Sequence, residues 1–195
     1  MGYVVSWCAV REEQAAEMLA DLGFAATGRK SSDRGADAVT LPLPSGWRLF
    51  WFLKYARAPL DARRLRDFSK SRDILVCHIE EHVMESIAEY WSQGRTLWRI
   101  RHQGEDGPVG LDVEGSPPES LTRIRMEMER EQREDGGADA EVDFLFEIPL
   151  LVAQDLTGFK HDEEDEDLVG EGYEELDRVK TPGFFGRLFG GRGHG

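Results

Sequence analysis

The residues best suited to chemistry are His78, Glu81 and His82, in the run His78-Ile79-Glu80-Glu81-His82. The pattern is H-x-x-E-H. On a helix, positions four apart share a face, so both imidazoles would reach one zinc ion. The glutamate would then deprotonate a metal-bound water, the inverted metalloprotease arrangement. Asp73 to Cys77, just before the pentad, is strand-like instead. Along a strand the two imidazoles stand roughly 13 Å apart, too far for one metal. A third protein ligand is also needed, and the later glutamates fall in a solvated helix or an acidic tail. The expectation is therefore no metal, no cofactor and no catalytic group, with His78, Glu81 and His82 kept as the ligands of an alternative zinc-hydrolase reading.

Other nucleophile and phosphate signatures are missing. Cys77 and His78 are neighbours on a strand and point to opposite faces. Cys8 and Cys77 each sit in an apolar run and read as buried free thiols. Nothing matches G-x-S-x-G, and Gly104 to Gly110 lacks the Gly-Lys-Ser/Thr ending of a phosphate loop. His161-Asp162 reads as a polar pair at a domain edge. Arg57, Arg63, Arg64, Arg66, Lys70 and Arg72 could meet phosphates, but only Tyr55 and Phe68 lie among them as stacking surfaces. They read as a solvated helix face, with a nucleic-acid role gated by an acidic tail as a second alternative.

The elements that position these residues follow from periodicity. Tyr3 to Val10 is aromatic and β-branched, a buried strand. Ala15, Met18, Leu19 and Leu22 have helical spacing, and Gly23 supplies a left-handed stop. Ala38 to Leu43 reads as a short edge strand, limited by Pro42 and Pro44. Trp47 to Leu53 is apolar on both alternating faces and belongs at a sheet centre. Pro59 to Lys70 reads as a short basic helix turning Leu60, Leu65 and Phe68 inward. Residues 74–102 read as a three-stranded antiparallel meander, with a helix over 79–91 as the rival. Ser116-Pro117-Pro118-Glu119 starts a helix with Ser116 as its cap, Leu121, Ile124 and Met128 inward, and Gly136-Gly137 as its end. A last helix runs from Pro149 to Leu156, stopped by Gly158.

Composition bounds the rest. The 195 residues carry 38 acidic and 24 basic side chains, a net charge of −14. Residues 1–72 are net +4, residues 73–161 net −12 and residues 162–195 net −6. An acidic chain repels nucleic acid, whose phosphates supply most non-specific affinity. Two cysteines give no disulfide framework, which points to a reducing, cytoplasmic compartment. No secretory signal or membrane span is legible. Met1-Gly2 to Ser6 matches a myristoylation pattern, but the same residues read as the start of a core strand.

Asp162 to Asp167 is six consecutive carboxylates. Such a block repels itself and resists burial, so a single α+β domain is expected over 1–161, with an acidic, glycine-rich, flexible tail over 162–195. Within that tail Phe184, Phe185, Leu188 and Phe189 form an apolar island, the candidate partner-binding residues.

Three runs carry a resemblance: Tyr90-Trp91-x-x-Gly94-x-x-x-Trp98-x-x-x-His102, Val113-Glu114-Gly115-x-Pro117-Pro118, and Asp143-x-x-Phe146-x-Ile148-Pro149 with Leu156-Thr157-Gly158-Phe159-x-His161-Asp162. Over roughly residues 70–162 the chain resembles a family of uncharacterised bacterial proteins. That resemblance implies no activity and no catalytic residue, but a bacterial cytoplasmic origin and a domain ending near Asp162. In general character the chain is similar to the immunity proteins that neutralise bacterial toxins. The expected fold is α+β, a mostly antiparallel sheet with helices packed on one side. The expected function is a non-enzymatic binding protein, of adaptor or immunity type, meeting a basic protein partner.

Overall fold

The computed structural model describes residues 2–31, 34–53, 58–104, 110–140, 142–163 and 172–179. Phe184, Phe185, Leu188 and Phe189 lie outside them, as do residues 164–167 of the acidic run. The strands are β1 Val4–Arg11, β2 Phe24–Ser31, β3 Ala38–Pro42, β4 Trp47–Phe52, β5 Ile74–Glu80, β6 Glu85–Ser92, β7 Arg95–Gln103, β8 Leu111–Gly115 and β9 Tyr173–Arg178. The helices are α1 Ala15–Leu22, α2 Ala62–Phe68, α3 Ser120–Glu134 and α4 Glu147–Thr157. All nine strands join one antiparallel sheet, ordered β2-β9-β3-β4-β1-β5-β6-β7-β8. The α+β class and the antiparallel sheet are as expected, and so is the meander β5-β6-β7.

The helices divide between the two faces of the sheet rather than packing on one side. The reason lies in the central strands. In β1, Val5, Trp7 and Ala9 are buried on one face and Cys8 and Val10 on the other; β4 repeats this with Trp47, Leu49 and Trp51 against Phe50 and Phe52. Strands apolar on both sides need cover on both sides. Met18 and Leu22 of α1 and Leu65 of α2 pack with the Cys8 face. Leu121 and Ile124 of α3 and Ile148 and Val152 of α4 pack with the Trp7 face. There Phe159 sets its ring edge-on to Trp7 at 5.4 Å and to Trp51 at 6.2 Å.

Local signals set most helix ends. Gly23, at φ 78°, closes α1, and Gly158, at φ 76°, closes α4. Asp61 caps α2 by accepting from the Arg63 and Arg64 N–H groups at 3.0 and 3.1 Å. The start of α3 differs from expectation. Ser116 is not its cap, because the Ser116 N–H donates to the Leu97 carbonyl at 3.2 Å and stays on β7. The helix begins at Ser120, and Glu119 at its cap makes no side-chain capping bond.

One strand of the sheet lies beyond the boundary expected at 161. β9 lies between β2 and β3, so residues assigned to the tail complete the sheet and β3 is internal rather than an edge. Beyond the carboxylate run, Tyr173 and Leu176 supply one buried side chain to each face of the sheet. The acids between them stay near the surface, where Arg29 Nε meets Glu175 Oε2 at 2.7 Å. The Val179 N–H closes the strand on the Gly23 carbonyl at 2.9 Å. Charge content obscured a strand whose backbone the sheet satisfies. Among the described residues no helix is long and apolar enough to cross a membrane. Leu176→Ala should lower the unfolding free energy in urea by about 2–4 kcal/mol; a change below about 0.5 kcal/mol, the usual size at a solvated position, would return residue 176 to the tail.

Candidate binding cleft

The pentad does not converge on a metal position. His78 sits near the end of β5, paired opposite Ser6 of β1, and its Nδ1 is 2.8 Å from Ser6 Oγ. The strand stops at Glu80, and Glu81 to Met84 turn the chain into β6, with Met84 at φ 49°. His82 is exposed in that turn. Glu81 accepts the Tyr3 N–H at 2.8 Å and faces His161 Nε2 at 3.2 Å. Among the described residues no group of three or more His, Cys, Asp or Glu is placed to hold a metal ion.

The other two described histidines, His102 and His161, are internal ties as well. His161 is 1% exposed. Tyr3 sets its ring edge-on to the imidazole at 5.3 Å, and Arg34 donates to the His161 carbonyl. Beside it Lys160 bridges Glu147 of α4 and Asp162, at 2.9 and 2.8 Å. Burial works to raise the Asp162 carboxyl, but Lys160 and His161 outweigh it and hold it below the usual carboxylate range. The expected His161-Asp162 pair is thus part of a joint between the N-terminus, the β5-β6 turn and the end of α4. His102 is fully buried on β7, and its Nε2 lies 2.7 Å from Asp143 Oδ2. Burial raises the Asp143 carboxyl. The hydrogen bond and charge of His102, with the Phe146 and Leu145 N–H groups, overcome that and leave it lowered. Burial pushes the Cys8 and Cys77 thiols well above their usual range, so neither is a ready nucleophile.

A different set of residues forms the open site. On the α3/α4 face lies a cleft of about 530 Å³, bounded by Arg11 of β1, Trp47 of β4, Tyr90 of β6 and Arg95, Thr96, Leu97 and Trp98 of β7. Ser116, Pro118 and Leu156 complete it. Strand register builds one wall. Arg11 stands opposite Trp47, and its guanidinium lies 4.1 Å from the indole centroid, a cation–π contact. The β6-β7 hairpin turns at Gln93 and Gly94, at φ 53° and 74°, the two left-handed positions of a tight hairpin. That turn sets Arg95 at the head of β7. A bulge follows, so that Trp91 pairs with Thr96 and Tyr90 with Trp98. Tyr90 and Trp98 stack at 5.8 Å with 15° between planes.

Gly115 delivers the opposite wall. Its φ is 75°, and a Cβ there would stand 2.0 Å from the Leu97 carbonyl oxygen. Only glycine allows so close a crossing, which brings Ser116 and Pro118 to the cleft just ahead of α3.

The electrostatics are one-sided. Arg11 and Arg95 are exposed and make no ion pair among the described residues. The described lining contains no carboxylate, imidazole, thiol or amine. Tyr90 donates to Asp73 Oδ2 at 3.1 Å. Its phenol is pushed up to about 12, by burial first and by Asp73 second, against an opposing effect of Arg11. It therefore stays a neutral hydroxyl at physiological pH. The arrangement can bind an anion beside a flat apolar body.

Sequence reasoning missed this site because its residues come from four strands, a loop and α4. The available signal was parity: Arg11 lies on the same face as Val5, Trp7 and Ala9, so a cation ends an apolar face. Asp143→Asn should cost on the order of 1.5–3 kcal/mol at neutral pH, the range for a hydrogen bond to a charged group. With a lowered folded pKa, the Asp143 contribution is present above the unfolded carboxylate value near ~3.9 and is lost as pH falls through the folded value. Urea titrations of both proteins from neutral to acid pH should therefore converge; a constant gap would remove the Asp143 carboxylate contact with His102 from the account. No family model, curated protein or solved structure matches the chain, so the resemblance over residues 70–162 brings no residue roles and the site stands on its geometry.

Proposed function

We propose that the protein is a non-enzymatic binding protein whose recognition site is the Arg11–Arg95 cleft, where it receives an anionic group of its partner. The supporting observation is the pair of exposed guanidiniums without carboxylate partners among the described residues, on an aromatic wall, in a chain of net charge −14. Arginines in an acidic protein have many available carboxylates. Two left over in one concave site favour a ligand anion. A binding role is favoured over catalysis by the lining: among its described residues Thr96 and Ser116 meet no carboxylate, imidazole or amine, and the Tyr90 hydroxyl, bonded to Asp73, is kept in its neutral form by burial.

The adaptor or immunity-type reading, with a basic partner, has less to support it. On α3 the acids are met by the helix's own arginines: Arg125 with Glu129 at 2.7 Å, Arg130 with Glu131 at 2.7 Å, Arg123 with Glu127 at 3.9 Å. That reading then rests on residues 162–167, four of which are outside the described set. The zinc-hydrolase alternative has no geometric support. A nucleic-acid role is opposed by the net charge, which repels a polyanion beyond the cleft itself.

Anilinonaphthalene sulfonate, a fluorescent aryl anion, should bind the full chain at low salt. The Arg11→Ala/Arg95→Ala double variant should bind it at least ~10-fold more weakly while keeping its urea midpoint. Equal binding by both proteins would show that the cleft is not the anion site.

A further inference from the structure

We infer that the occupant of the cleft is a small aromatic carboxylic acid, one ring or two fused rings bearing a single carboxylate, so that the protein binds a metabolite-sized ligand rather than a polyanion or an acidic peptide. This rests on the reading of the cleft as the recognition site and narrows it to a ligand class.

Size is the first argument. A volume of about 530 Å³ lies within the roughly 300–1,000 Å³ range of small-molecule sites. It holds a body of one or two rings and not a folded segment. The wall is the second. Tyr90, backed by the buried Trp98, and the partly exposed Leu97, Pro118 and Leu156 present the apolar surface, which an aromatic ring covers with little ordering cost.

The charge pattern is the third argument, and it selects the anion. Arg11 lies over the Trp47 ring, so one guanidinium face is occupied and its N–H donors lie in plane, the fork that a planar carboxylate matches in bidentate fashion. The positive region is local: Arg11 and Arg95, inside a chain of −14. At physiological salt the screening length is about 8 Å, so a single charge seated in the cleft feels the two guanidiniums, opposed by the Asp73 carboxylate behind the Tyr90 hydroxyl. A ligand with charges spread beyond the cleft meets the acidic remainder of the protein. A monoanion gains the local attraction with the smallest long-range penalty. Thr96 and Ser116 leave hydroxyls for polar atoms on a ring edge, where a heteroaromatic body gains over a plain one.

Calorimetric titration of the full chain at low salt and neutral pH tests the class, with indole-3-acetate as the probe. The controls are indole-3-acetamide, acetate, phenyl phosphate, hexaglutamate and a thymidine oligonucleotide. Indole-3-acetate should bind one per chain. Its neutral amide and ring-free acetate should each bind at least ~10-fold more weakly, and so should indole-3-acetate to Arg11→Lys, which keeps the charge and loses the fork. Arg11→Lys alters a surface side chain, and an unchanged urea midpoint will confirm its fold. If phenyl phosphate, hexaglutamate or the oligonucleotide binds more tightly than indole-3-acetate, in a manner that Arg11→Ala/Arg95→Ala abolishes, the aromatic-carboxylate assignment is overturned while the cleft remains an anion site. If no anion's binding depends on Arg11 and Arg95, both readings fall.

Discussion

The whole architecture depends on one constraint: strands β4, β1 and β5 are apolar on both faces, and neither face tolerates water. Trp7, Trp51 and Leu75 on one side and Cys8, Phe50 and Val76 on the other are each 1% exposed or less. Burial of such side chains contributes about 1.5–3 kcal/mol apiece, which makes a two-sided roof obligatory. With four short helices the roof is small, and it ends where Trp47, Tyr90 and Trp98 begin. The cleft is the place where the cover of the Trp7 face stops. Its aromatic wall is the margin of the core, and Arg11 and Arg95 occupy the boundary between that margin and solvent.

The same constraint explains the polar chemistry of the interior. A sheet covered on both sides still contains side chains that form hydrogen bonds, and each needs a partner. His78 with Ser6, His102 with Asp143 and His161 with Glu81 meet that need between elements distant in sequence. The residue types that suggest catalysis are used for joints. The joint at His161 gathers the N-terminal strand, the β5-β6 turn and the end of α4, just before the chain leaves for β9. Thus Glu81, expected as a proton-moving group or a solvated one, serves to hold the N-terminus.

Much of the fold was legible because it is written in local periods. The meander, the buried strand at Trp47, the glycine ends of α1 and α4 and the inward residues of α2 and α3 all follow from spacing and turn chemistry. What escaped was set by tertiary pairing. β2 has little apolar content and among the described strands pairs only with β9, and β9 follows a charge run that reads as the end of order. The divided roof was implicit in β1 and β4, whose two apolar faces demand it, but helix counts do not say which helix serves which face. The cleft was the least legible part. Register sets Arg11 opposite Trp47, a bulge sets Tyr90 opposite Trp98, and Gly115 brings in the third side; none of these is a motif.

Five tryptophans make the central claim directly measurable. Trp47 and Trp98 line the cleft, whereas Trp7, Trp51 and Trp91 do not. In a nitrogen–proton correlation spectrum of the full chain, titrated with phenylacetate, the account predicts saturable shifts of the Trp47 and Trp98 indole N–H signals. The other three indoles should stay in place. Shifts confined to Trp7, Trp51 or Trp91, or no saturable shift at any indole, would contradict it.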